Sequence, residues 1–204
     1  ETVVGGEDLK ELQQLEEQLL VLRAKHPQKN HPDLAKILQR LGQLSMRAGD
    51  FKEARQHLEE ALRMQRALHG DRDHPDVGAT LHALGQVSLQ TGDFEKAKQY
   101  FEECLRINRA LHEDRDHPDV GATLHVLGQL SLQIGDLQKA KQYLEESLRT
   151  HRALHGDRDH HGVGVTLYAL GQLSQKKRRV REGKAVLRRI FENVARIVWR
   201  QRSS

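Results

Sequence analysis

The sequence is poor in the residues that would announce a secreted, membrane-spanning or catalytic protein. It holds one cysteine among 204 residues, so no internal disulfide framework exists and a reducing compartment, the cytoplasm, is expected. No stretch approaches the roughly 18 uninterrupted apolar residues that a membrane helix needs, so a membrane span is excluded. No apolar h-region follows Glu1, and no secretory signal is expected. Aromatic residues make up 4% of the chain, and Leu and Ala supply most of its 37% hydrophobic content. That balance, with 30% charged residues, suits a helix-rich core built from Leu and Ala. There is neither a P-loop nor a dinucleotide fingerprint.

Charge is short in one part of the chain and concentrated in another. Residues 176–202 carry 11 Lys and Arg against Glu182 and Glu192, a net +9 in a chain whose total is +4. The remaining residues are therefore net −5. The pI near 9.3 describes one end of the chain rather than its whole surface.

What the sequence has in abundance is itself. His-Pro-Asp begins at His31, His74 and His117, and a degenerate copy, His160-His161-Gly162, follows at the same 43-residue step. Leu-Gly recurs in phase at Leu41-Gly42, Leu84-Gly85, Leu127-Gly128 and Leu170-Gly171, and Gly-Asp at Gly49, Gly92 and Gly135. Segments 74–116 and 117–159 share 33 of 43 residues. A fixed period in this range indicates a stacked array.

Each unit reads as two helices. Pro75 and Pro118 suit a first helical position, and Asp76 and Asp119 add negative charge to the first turn. Glycine takes the left-handed position that ends the first helix, and Asp93 caps the second. Phe94, Ala97, Phe101, Cys104, Leu105 and Leu111 form the apolar stripe of that second helix. Breakers every 15–25 residues exclude a coiled coil.

The columns Leu38-x2-Leu41-Gly42-x2-Ser45, Ala54-x3-Leu58 and Ala61 resemble the tetratricopeptide signature, and they recur at Leu81, Leu84, Gly85, Ser88, Ala97, Phe101 and Cys104. The long unit opening on HPDVGATLHALG is similar to the extended repeats of kinesin light chains and nephrocystin-like proteins, with Leu for Trp and Ser for Tyr. The resemblance implies an all-α, right-handed α-solenoid of about nine helices. Residues 1–30 are expected to form an N-terminal capping helix. Repeats then follow at 31–73, 74–116 and 117–159, with a degenerate basic repeat at 160–204.

Candidate chemistry is thin. Thirteen histidines raise the question of a metal, with His151 and His155 four apart and His160 and His161 just beyond. The spacing His69/His74 and His112/His117 recurs with the repeat, and no Cys–His constellation accompanies it, so neither a metal nor any other cofactor is expected. Cys104 sits in the small column that faces a neighbouring helix, and Ser45, Ser88, Ser131 and Ser174 recur as packing positions. No nucleophile–base pair emerges, and the chain reads as non-enzymatic.

The better candidate is the face that the resemblance assigns to a peptide-binding groove. One column holds Gln43, Gln86, Gln129 and Gln172, and a second holds Gln39, His82, His125 and Tyr168. Stacking aligns them as a ladder of donors and acceptors, with Met46, Leu89 and Leu132 supplying apolar contact. The expected partner is a protein or peptide segment, and the chain reads as a piece of a larger scaffold protein. A second reading is a homodimer through the C-terminal helix, where Ile190, Phe191, Val194 and Trp199 make more apolar surface than a terminal cap requires. Contact of the basic end with nucleic acid or an acidic surface ranks third, because aromatics for base stacking are nearly absent.

Overall fold

In the computed structural model, the described residues are 6–26, 30–70, 72–156 and 160–202, with side chains described as far as 189. They form α1 (Gly6–Lys25), α2 (Pro32–Ala48), α3 (Phe51–His69), α4 (Pro75–Gln90), α5 (Phe94–Leu111), α6 (Pro118–Ile134), α7 (Leu137–His155) and α8 (His161–Arg202). No strand occurs among the described residues. Helices α2/α3, α4/α5 and α6/α7 are the paired units, and α1 packs on α2 in the place of a missing second helix.

Local chemistry explains both ends of the first helix and the start of the second in each pair. The imidazole Nδ1 of His31, His74 and His117 accepts the N–H of Asp33, Asp76 and Asp119, each at 3.2 Å, so histidine is the N-cap of the first helices. Gly49, Gly92 and Gly135 lie at φ 83°, 77° and 88°, a conformation that costs glycine little. Asp50, Asp93 and Asp136 then accept the N–H of Glu53, Lys96 and Lys139 and cap the second helices.

The core is a chain of small contacts rather than one large one. Leu84 and Leu127 are buried, as the repeat register requires. Within each pair the first-helix glycine admits a large second-helix side chain. A Cβ on Gly85 would stand 2.7 Å from the Phe101 ring, and one on Gly128 would stand 2.6 Å from Leu144. Successive second helices are laced by Arg23–Glu60 at 2.7 Å, Arg66–Glu103 at 2.8 Å and Arg109–Glu146 at 2.6 Å. Arg23 thus fills the column of Arg66 one period upstream, and α1 stands in register as a lone second helix.

The fourth unit departs from the expected helix pair. Helix α8 runs 42 residues without interruption, so the described residues hold eight helices, near the nine expected. The reason is local. Lys177-Arg178-Arg179 stands where the other units carry the turn, and none of these residues supplies a left-handed glycine or a side-chain cap. With no stop signal, the helix continues past the array. Lys176 Nζ donates to the Leu132 carbonyl at 2.5 Å, and from residue 178 to 189 every residue is exposed.

Candidate functional site

The first helices present one face as a row. On α4, residues Ala79, His82 and Gln86 succeed one another at three- and four-residue steps, and on α6 Ala122, His125 and Gln129 do the same. Alanine keeps the row low at one end and polar side chains stand along the rest. The C-terminal half of α5 and the start of α6 close one wall.

Together they enclose a cleft of about 860 Å³. Its lining includes Gln43 and Met46 from α2, His82 and Gln86 from α4, Asn108 and Leu111 from α5, and Asp119 and Thr123 from α6. A smaller hollow of about 260 Å³ lies further along, against Gln129, Leu132, Gln172 and Lys176. Gln86, Gln129 and Gln172 are exposed, whereas Gln43 and Met46 are half-buried.

The other expected groove positions, and His82 within the cleft, have contacts of their own. Gln39 accepts a hydrogen bond from Gln65 Nε2 at 3.1 Å, and its amide oxygen is engaged within its own repeat. Leu89 packs against the core cluster that holds Phe101 and Leu127. His125 is half-buried with Nδ1 at 3.1 Å from Thr166 Oγ1, and Tyr168 is exposed beyond the end of the cleft. His82 packs edge-on against Phe101, at 5.3 Å between ring centroids. Burial of the ring pushes the His82 pKa down, opposed in part by the carboxylate of Asp119. Burial likewise lowers that of His125, assisted by the positive charge that His151 and His161 carry when protonated.

Sequence reasoning missed the α5 wall. Asn108 and Leu111 belong to a second helix, and the cleft takes them because the end of α5 lies beside α4 and α6. The signal was present in Ala79 and Ala122, small residues one turn before His82 and His125, which mark where another chain can approach. Cys104 also contributes to the lining, though it is buried. Its thiol lies 3.9 Å from Thr123 Oγ1 and accepts from Asn108 Nδ2 at 3.5 Å. Burial pushes its pKa up to about 11, which leaves it an inert thiol at neutral pH. The side chains of Ile190, Phe191, Val194 and Trp199 lie outside the described residues.

The tetratricopeptide-repeat pattern matches residues 33–110 and again residues 120–162, together more than half of the chain. The protein belongs to the tetratricopeptide-repeat family. Its fold is similar to that of a kinesin light chain-type protein of Podosopora anserina with nearly identical TPR-like repeats. There the TM-score is 0.71 at 22% identity, over 90% of this chain and 85% of that one. It is also similar to BtubC (BKLC) from P. vanneervenii, with a TM-score of 0.68 at 24% identity, over 88% of this chain and 72% of that one. At these identities the likeness establishes the right-handed α-solenoid fold alone. No curated protein matches the chain in sequence. Among the described residues, no helix is long and apolar enough to cross a membrane.

Proposed function

We propose that this chain is a non-enzymatic, cytoplasmic interaction module that holds a peptide segment of another protein in the cleft between α2, α4 and α6. The observation that carries the reading is the composition of that cleft. Amide side chains of Gln43, Gln86 and Asn108 stand beside the apolar surfaces of Met46 and Leu111, in a volume suited to several residues of a peptide. Amides donate and accept at once, so they can pair with a peptide backbone whatever its sequence. Met46 adapts its shape to an apolar anchor. Asp119 at the wall adds a preference for a basic or amino-bearing side chain on the ligand.

A random-peptide display selection against the whole chain, followed by affinity measurement of the selected peptides, tests this. Selected peptides should lose at least ~tenfold in affinity for the Gln86→Ala/Asn108→Ala variant, the equivalent of about 1.4 kcal/mol. They should bind Gln99→Ala, an exposed change on α5 outside the cleft, as they bind the parent. Peptides that bind all variants equally would place the interaction elsewhere.

A second reading has its own observation. Helix α8 extends beyond the array with Val186 and Leu187 each 55% exposed, which favours self-association of this helix. Sedimentation velocity separates the readings: a dimer dispersed by Leu187→Glu, with peptide affinity unchanged, would establish both surfaces independently.

A further inference from the structure

The junction between α7 and α8 is built from repeat positions that have changed together. In the preceding unit the corresponding positions hold Asn108, Pro118 and Asp119; here they hold His151, His161 and Gly162. Two of the changes are sterically linked. A Cβ on residue 162 would stand 2.7 Å from the His151 ring, so the imidazole occupies space that the aspartate column of the other units would fill. The outcome is a buried ring, 7% exposed, whose Nδ1 has no hydrogen-bond partner among the described residues. A buried polar atom left unpaired is costly, and among the described residues none supplies its partner.

Two further imidazoles stand beside it. His155 lies one helical turn after His151 on α7, and His160 caps α8. One ring nitrogen from each of the three lies within 4.8 Å of the others. The Nδ1 of His160 is occupied by the N–H of Gly162 at 3.2 Å, which leaves its Nε2 for another ligand. Rings 155 and 160 stack with centroids 3.6 Å apart. Joint coordination of one ion requires the half-buried His155 ring, at the end of its helix, to turn out of that stack. At the two regular junctions, beside His69/His74/Asp76 and His112/His117/Asp119, the column of His151 holds amides instead of a third imidazole: Gln65, whose buried Oε1 is likewise unpaired, and Asn108, which donates to Cys104 Sγ.

We propose that His151, His155 and His160 bind one first-row divalent cation of the Zn²⁺ type. Three neutral imidazoles form a donor set suited to Zn²⁺, Ni²⁺ or Cu²⁺ and unsuited to Ca²⁺ or Mg²⁺. The bound ion joins the end of α7 to the start of α8 through one nitrogen of each ring. Its fourth position is left to water or to a donor from outside the chain.

The test is calorimetric titration of the metal-free 204-residue chain with Zn²⁺ at neutral pH, with Co²⁺ absorption as the report on geometry. The expected result is one equivalent bound, with the intense visible bands of tetrahedral Co²⁺. His151→Asn, which installs the residue already tolerated at position 108, should weaken binding at least ~tenfold, as should His155→Gln; even supporting groups at metal sites are worth 10–100-fold. His112→Gln, at the regular junction, should leave the affinity unchanged. If His151→Asn does not fold, the exposed-side variant His155→Gln decides alone. Absence of saturable Zn²⁺ binding would overturn the proposal, as would equal losses in the His112→Gln and His151→Asn variants.

Discussion

The same 43-residue pattern is written four times, and its last copy behaves differently from the two in the middle. Leu144 and Leu187 occupy one column of the repeat. The first is fully buried against Gly128, and the second is 55% exposed on α8. Nothing about leucine differs between the sites. What differs is the turn: Gly135-Asp136 sends α7 back across α6, while Lys177-Arg178-Arg179 lets α8 run on. A repeat residue has its energetic role only if the chain reversal before it occurs. Stability in such an array is a sum of local pairings, and losing one reversal strips the contacts of a whole helix at once.

The largest expected effect follows from that pair. Leu144→Ala should cost about 2–5 kcal/mol in chemical denaturation, the range for emptying a packed leucine site. Leu187→Ala should fall within ~0.5 kcal/mol of the parent, as surface changes do. Equal costs would mean that α8 is packed after all, and the contrast between the two units would collapse.

Glycine sharpens the comparison by reversing its sign. At Gly128 an added methyl meets the Leu144 side chain at 2.6 Å and its backbone nitrogen at 3.3 Å, so Gly128→Ala should destabilise by ~1–3 kcal/mol through overpacking. At Gly171, the matching position, a Cβ would meet nothing within 4 Å. Gly171→Ala should therefore stabilise by ~0.5–1 kcal/mol, the usual gain from removing glycine inside a helix. Opposite shifts in thermal midpoint would confirm that Gly171 is a packing residue whose partner helix never folds back.

These columns also show what could be read from the sequence. Period, pairing and core register were legible because Leu84, Gly85 and Phe101 recur in phase with unmistakable breakers between them. The substitution of the turn by Lys177-Arg178-Arg179 was equally visible, yet its consequence was not. A repeat pattern suggests two helices even where the local residues specify one, and here local propensity prevailed because no partner surface opposed it. The histidine caps were hidden for another reason: imidazole is an uncommon cap, and Pro and Asp beside it already explained a helix start. Of the cleft, Gln43, Met46, His82 and Gln86 were readable as one face, whereas Asn108 and Leu111 come from a second helix and enter through stacking alone.

Acid should act on the His82 column of the regular units, which the fourth unit lacks. His82 is half-buried on α4 with its pKa lowered by burial, whereas the same column in the fourth unit is the exposed Tyr168. Because the folded-state pKa lies below the unfolded one, the unfolded chain takes up the proton first. Stability is then fully present above the ordinary histidine value of about 6.5 and is lost as pH falls through it toward the lower folded value. Denaturation midpoints measured from pH 7.5 to 5 should decline, and His82→Gln should flatten that decline. An unchanged slope in the variant would assign the acid sensitivity to other groups.

The smallest effect belongs to the ion pairs that lace the second helices. Glu60, Glu103 and Glu146 share a column, and the next position in phase is Arg189, a reversal of charge. Arg66 and Glu103 are 49% and 37% exposed, so water and salt screen the pair strongly. Glu103→Gln should cost no more than about 1 kcal/mol, and less in high salt, as exposed pairs do. Arg189→Glu restores the column's acidic residue in the fourth unit. It should leave stability unchanged, because α8 carries this position away from the array instead of laying it beside α7. Denaturation in low and high salt would show the difference directly: a salt-dependent loss for Glu103→Gln and none for Arg189→Glu. A salt-sensitive gain from Arg189→Glu would mean that the end of α8 lies back against α7 in solution. The turn, rather than the ion pair, would then have been replaced without loss.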